Sequence, residues 1–118
     1  MKKIMGRKKR HRVLRKKLVG SAERPRLCIF RSGKNLYAQL IDDIKGLTLF
    51  SVSTNDKTIR AKVRYGGNVK AAVFLGEAFA KGAKEKGFAK ITFDRAGYLF
   101  HGRVRAFAES ARKNGLIF

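Results

Sequence analysis

At 118 residues and 13.3 kDa the chain has room for one domain, able to bury about two-thirds of its unfolded surface. Its 44% hydrophobic content excludes a wholly disordered polymer. Lys and Arg outnumber Asp and Glu 29 to 8, a net charge of +21, and so large an excess opposes a compact monomer unless a polyanion neutralises it.

Residues 1–26 hold twelve basic residues and one acidic residue, Glu23. This opening stretch lacks the apolar core of a secretory signal. It is Arg-rich like a mitochondrial presequence, but its Lys clusters and its lack of Ser before Ser21 fit one poorly, so a cytoplasmic location is expected. Within 6–19 the apolar residues are Val13, Leu14, Leu18 and Val19, too thin a stripe to hold a helix on a core. Like charges at helical spacing, Lys8 with Arg12 and Arg12 with Lys16, oppose a helix as well. Residues 1–24 therefore read as a flexible basic arm that orders on phosphates. Its candidate contacts are Arg7, Lys8, Lys9, Arg10, Arg12, Arg15 and Lys16. Arg24 precedes Pro25, is thereby pushed to an extended conformation, and closes the arm.

Residues 25–118 read as one α/β (α+β) domain. Leu27–Arg31, Leu36–Ile41 and Leu47–Ser53 are short runs rich in β-branched, aromatic and aliphatic residues, punctuated by Gly, Asn and Asp. They predict a three-stranded meander. Alternation sends Leu36, Ala38 and Leu40 to one face, and Tyr37, Gln39 and Ile41 to the other. Cys28, the single cysteine, excludes an intramolecular disulfide and leaves no cysteine-based metal site in view.

Thr54, Asn55 and Asp56 offer capping side chains to a short helix ending near Lys62. Asn68 caps the clearest helix, 69–86, with Val69, Ala72, Val73, Gly76, Phe79, Ala80 and Ala83 on its apolar face and Phe74 on the polar side. Gly87 is its left-handed cap. Phe88–Asp94 predicts a fourth strand, parallel to a neighbour because a helix precedes it. After the loop 95–102 a last helix covers 103–114, Gly115 ends it, and Leu116-Ile117-Phe118 tucks against the core. The whole is a mixed, mostly antiparallel sheet of about four strands, with helices on one face and a basic arm. No apolar run approaches the roughly 20 residues of a membrane span.

Nothing in the chain assembles an enzyme. His11 lies in the arm, and His101 with Asp94 makes a weak acid–base pair without a second candidate. Gly97 and Gly102 lack the spacing and the Lys-Ser/Thr ending of a phosphate loop, and metal-ligand spacing is absent, so no cofactor, metal or small-molecule substrate is expected. Nucleic acid fits better: cations contact phosphates while neighbouring aromatics offer faces to the unstacked bases common in RNA. Tyr37 and Gln39 on the polar sheet face make one such set, and Arg95, Tyr98, His101 and Arg103 another, with Arg31 between them. Phe100, in the same loop, is expected in the core.

Three stretches carry a family resemblance: Leu36-Tyr37-Ala38-Gln39 with Ile41, Ser53-Thr54, and Phe93-Asp94-Arg95 through Tyr98 and His101-Gly102-Arg103-Val104 to Gly115-Leu116 and Phe118. With the basic arm in front, the chain resembles the bacterial-type large-subunit ribosomal protein eighteen family, which binds 5S rRNA. The resemblance implies a structural role in the large ribosomal subunit, docking 5S rRNA to 23S rRNA in the central protuberance beside other 5S rRNA-binding proteins. It implies RNA contact at Arg31, Tyr37, Gln39, Arg95, Tyr98, His101 and Arg103, and an arm that matches only in being basic.

Overall fold

A computed structural model describes residues 19–63 and 66–118, and the expectations for residues 1–18 lie outside them. Three strands form the meander: β1 (Arg26–Arg31), β2 (Leu36–Asp42) and β3 (Leu47–Ser53). A single helical turn, α1 (Lys57–Arg60), and a long helix, α2 (Val69–Glu85), follow. A short strand, β4 (Thr92–Asp94), and a final helix, α3 (Gly102–Lys113), complete the fold. The sheet order is β3-β2-β1-β4, with β1 antiparallel to β2 and parallel to β4. The predicted mixed, mostly antiparallel sheet of four strands is the one that forms.

Alternation decides which sheet face is dry. Leu27 and Ile29 of β1 and Leu36, Ala38 and Leu40 of β2 are fully buried, and they share a core with Leu75 and Phe79 of α2 and Val104 and Phe107 of α3. Both long helices end by one device: Phe88 N donates to Ala83 O at 2.9 Å, and Leu116 N to Ala111 O at 3.1 Å. The intervening Gly87 and Gly115 have φ of +89° and +106°, which a residue with a Cβ adopts only under strain. Asn68 Oδ1 accepts from Ala71 N at 2.8 Å, the predicted cap of α2.

Three expectations change. The buried face of α2 is rotated from the predicted one: Ala71 and Leu75 turn inward, while Val69 is 50% exposed and Val73 also faces out. Asp56 is the N-cap residue of α1 but its side chain does not cap it: Asp56 Oδ2 accepts from Ser53 N and Thr54 Oγ1 from Leu36 N, each at 2.9 Å, while Asn55 Oδ1 accepts from Arg60 Nη1 of α1 at 3.1 Å. The fourth strand is shorter than 88–94, since Phe88 completes the α2 cap and Lys90 forms an isolated parallel bridge with Ile117. Leu116 is buried as expected, whereas Ile117 is exposed on this added edge.

One ion network ties the start of β1 to the end of β2 and to β4. Arg26 Nη1 donates to Asp94 Oδ2 at 2.7 Å, Nε to Asp43 Oδ2 at 2.9 Å and Nη2 to Asp43 Oδ1 at 3.1 Å. Burial lowers the basicity of Arg26, but the hydrogen bonds to Asp43 and Asp94 outweigh it and leave its pKa raised. The guanidinium therefore stays charged throughout the working pH range.

Two substitutions test this packing. Arg26→Met strands the fully buried Asp94 carboxylate and should cost about 3–5 kcal/mol in urea unfolding. A Cβ at Gly76 would lie 2.6 Å from Phe107 O and 2.9 Å from Ser110 Cβ. Overpacking of about 1–3 kcal/mol should then exceed the roughly 1 kcal/mol of helix propensity that Gly76→Ala gains, lowering the urea midpoint.

Candidate nucleic-acid interface

The helices cover one face of the sheet and leave the other for a partner. Directly opposite pairs on that open face are Phe30 with Tyr37 and Cys28 with Gln39, and Gln39 is in turn opposite Ser51 of β3. Phe30 is 49% exposed and its ring lies 6.0 Å from that of Tyr37, which is half-buried. Cys28, Phe30, Ser32, Tyr37 and Gln39 line a shallow depression of about 390 Å³. Its lining offers two aromatic rings and an exposed amide, the combination that takes up an unstacked base.

Cations gather where β1 ends. A tight turn follows β4, with Tyr98 N donating to Arg95 O at 3.0 Å and Ala96 N to Asp94 Oδ1 at 2.8 Å. Ala96 and Gly97 both have positive φ, as a type I′ turn requires. The turn throws Tyr98 back against β1, where its hydroxyl accepts from Arg31 N and donates to Arg31 O, each at 3.2 Å. A single hydroxyl thus occupies the place of a strand neighbour beyond the end of β4. The Arg31 guanidinium sits 4.9 Å above the same ring. Arg103 Nη1 donates to Ser32 O at 2.9 Å, which brings a second arginine to the β1–β2 turn.

The seven body residues singled out in the sequence do not behave alike. Arg31, Gln39 and His101 are exposed, and Tyr37, Arg95 and Arg103 are half-buried. Tyr98 is only 6% exposed, with one face under Arg31, so its visible work is to hold that arginine. Phe100, expected in the core, is instead 39% exposed beside His101. His101 is the N-cap residue of α3, no side chain caps that helix, and its first turn has no acidic residue. The helix start therefore adds partial positive charge beside Arg103. His101 does not pair with Asp94, whose oxygens accept from Arg26 and Ala96. Arg7, Lys8, Lys9, Arg10, Arg12, Arg15 and Lys16 lie outside the described residues.

Phe30 and Arg26 were missed by the sequence reading. Counting by twos from Cys28, which lies between the inward-facing Leu27 and Ile29, would have put both on the open face.

A helix-backed sheet with one open face, and arginines gathered at its end, defines a basic binding scaffold. Comparison with known proteins makes this specific. The whole chain, residues 1–118, matches the family described as ribosomal L18 of archaea, bacteria, mitochondria and chloroplast. It is 56% identical over 112 residues to large ribosomal subunit protein uL18 of Bacillus cytotoxicus, covering 95% of this chain and 92% of that one. The same protein of Lactobacillus johnsonii is 54% identical over 110 residues, covering 93% and 90%. That of Pelotomaculum thermopropionicum is 54% identical over 112 residues, covering 95% and 92%. The chain belongs to the ribosomal L18 family: it is a structural component of the large ribosomal subunit, not an enzyme. Among the described residues, no helix is long and apolar enough to cross a membrane.

Tyr98→Phe keeps the ring beneath Arg31 and removes only the hydroxyl that bonds to its backbone. A loss of about 1–3 kcal/mol in urea unfolding is expected, the range for leaving buried polar groups unsatisfied.

Proposed function

We propose that this protein binds 5S rRNA and helps attach it to 23S rRNA in the central protuberance, in the cytoplasm and beside other 5S rRNA-binding proteins of the large subunit. The observation that carries this reading is the placement of Arg31, Arg103 and the start of α3 at one end of an open sheet face that holds Phe30, Tyr37 and Gln39. Cations supply phosphate contact and counterion release, while the sheet face supplies surface for stacking and for an amide to meet a base edge.

The body residues divide the work. Arg31, Arg95, Arg103 and His101 meet the RNA backbone, and Tyr37 and Gln39 meet exposed bases. Tyr98 acts through Arg31, fixing the backbone and stem of that arginine before the RNA arrives. Preorganisation of this kind lowers the entropy lost on binding. In the arm, Arg7, Lys8, Lys9, Arg10, Arg12, Arg15 and Lys16 extend the contact along phosphates and bridge toward the larger rRNA. Family membership supports the same assignment.

The test is a salt titration of binding to purified 5S rRNA. Each phosphate contact removed should flatten the log–log slope by about 0.7–0.9. Arg31→Gln and Arg103→Gln should each do so singly, and replacing the seven arm cations with Gln should lower the slope several-fold more. Equal affinity for 5S rRNA and for duplex DNA or a random RNA of the same length would refute the proposal.

A further inference from the structure

β3 is the outer strand of the sheet, and among the described residues no other element pairs with its far side. Which of its backbone groups point outward follows from one hydrogen bond. Thr54 N donates to Leu36 O at 3.0 Å, so alternation turns the N–H and C=O of Val52 toward β2 and those of Ser53 and Ser51 away from it. Ser53 confirms the phase: its N donates to Asp56 Oδ2 at 2.9 Å, and its O accepts from Asp56 N at 3.0 Å. Asp56 thus closes one end of this edge and leaves the exposed Ser51 with both backbone groups facing outward.

The edge is also neutral. Residues 46–55 form the longest run without Lys, Arg, Asp or Glu in a chain that is 31% charged. Bare edge strands are ordinarily guarded by lysine, proline or an inward-pointing charge, and β3 has none of these. Its one register shift, opposite Leu40 and Ile41, falls nearer its start than Ser51.

Beside the edge, the inner face of β3 continues into a groove. The Phe50 ring packs 5.4 Å from that of Phe79, and so close to Gly82 that a Cβ there would overlap it. Gly82 in turn borders a groove of about 870 Å³ between α1 and α2, with Ile59 and Phe74 along it. Phe74, on the polar side of α2 by periodicity, is half-buried there, with Lys62 Nζ 5.7 Å from its ring centroid. The charges of the groove, Lys62 and Lys81 against Glu77 and Glu85, balance.

A large-subunit protein has three kinds of neighbour: RNA, a second copy of itself and another protein. RNA is held by cations, which the edge lacks and the groove offsets. A second copy would set two charges of +21 side by side. An extended peptide instead supplies the missing donor and acceptor, and its alternate side chains reach past Phe50 into the groove. We propose that the outer edge of β3 receives an extended, largely uncharged segment of a neighbouring large-subunit protein as a fifth strand. One apolar side chain of that segment fills the groove beside Phe74. The proposal rests on family membership and not on the 5S rRNA reading.

The experiment uses the full chain in assembled large subunits. The photo-crosslinker p-benzoylphenylalanine replaces Leu47, at the start of the edge, or Thr58, at the groove, both of them exposed. After irradiation, mass spectrometry should place both crosslinks on one extended stretch of a single neighbouring protein. Ser51→Pro removes the outward N–H without breaking a bond to β2, and should lower the yield at both positions about tenfold. Ser51→Ala keeps that N–H and should leave the yield unchanged. Crosslinks to rRNA, to a second copy or to nothing would overturn the proposal, as would an undiminished yield in Ser51→Pro. Thermal unfolding checks that Ser51→Pro folds; should it not, hydrogen exchange at the natural Ser51 amide decides. Exchange there should be about a hundredfold slower in assembled subunits than in the free chain, and equal rates would overturn the proposal.

Discussion

The guanidinium of Arg26 is the constraint on which the rest of the structure depends. It lies at the start of the strand that pairs with both β2 and β4, and it joins Asp43, just beyond β2, to Asp94, the last residue of β4. Isolated, either carboxylate in that position would cost several kcal/mol in desolvation, and the three charges are tolerable only together. Asp94 also caps the turn that returns Tyr98 to Arg31, and Asp43 also holds Gly20. A stability element and the placement of the binding surface are therefore one object.

The same economy appears in the distribution of negative charge. All four aspartates accept internal hydrogen bonds: Asp42 from Ile44 N and Lys45 N, Asp56 from Ser53 N, and Asp43 and Asp94 from Arg26. Glu77, Glu85 and Glu109 are exposed on the helices, on the side of the sheet away from Tyr37 and Gln39. The positive field over the open face and the β1–β2 turn is thus little diluted, although the chain carries eight acidic residues.

Much of this was legible in the sequence wherever a short-range rule applied. A period of two separated Leu36, Ala38 and Leu40 from Tyr37 and Gln39, and the structure keeps that division. Asn68, Gly87 and Gly115 marked helix ends because capping is local chemistry. The rule failed where one helix had several possible apolar arcs. The first half of α2 is apolar nearly all round, so periodicity alone could not choose Leu75 and Ala71 over Val69 and Val73. The site was legible as a set of residue types but not as roles. Nothing near Tyr98 in the sequence announces that its hydroxyl bonds to a backbone 67 residues away, and the partners of Arg26 lie 17 and 68 residues from it.

The parallel pairing of β1 with β4 has a consequence for how the chain is made. Arg26 leaves the synthesising ribosome 66 residues before Thr92, its partner across that ladder. At about 5–20 residues per second, the nascent meander waits roughly 3–13 s with one side of its central strand unsealed. A bare strand edge invites association with other chains, so this interval is when misassembly is most probable. Variants that slow α2, the link between the two strands, should lengthen that hazard without altering the finished fold.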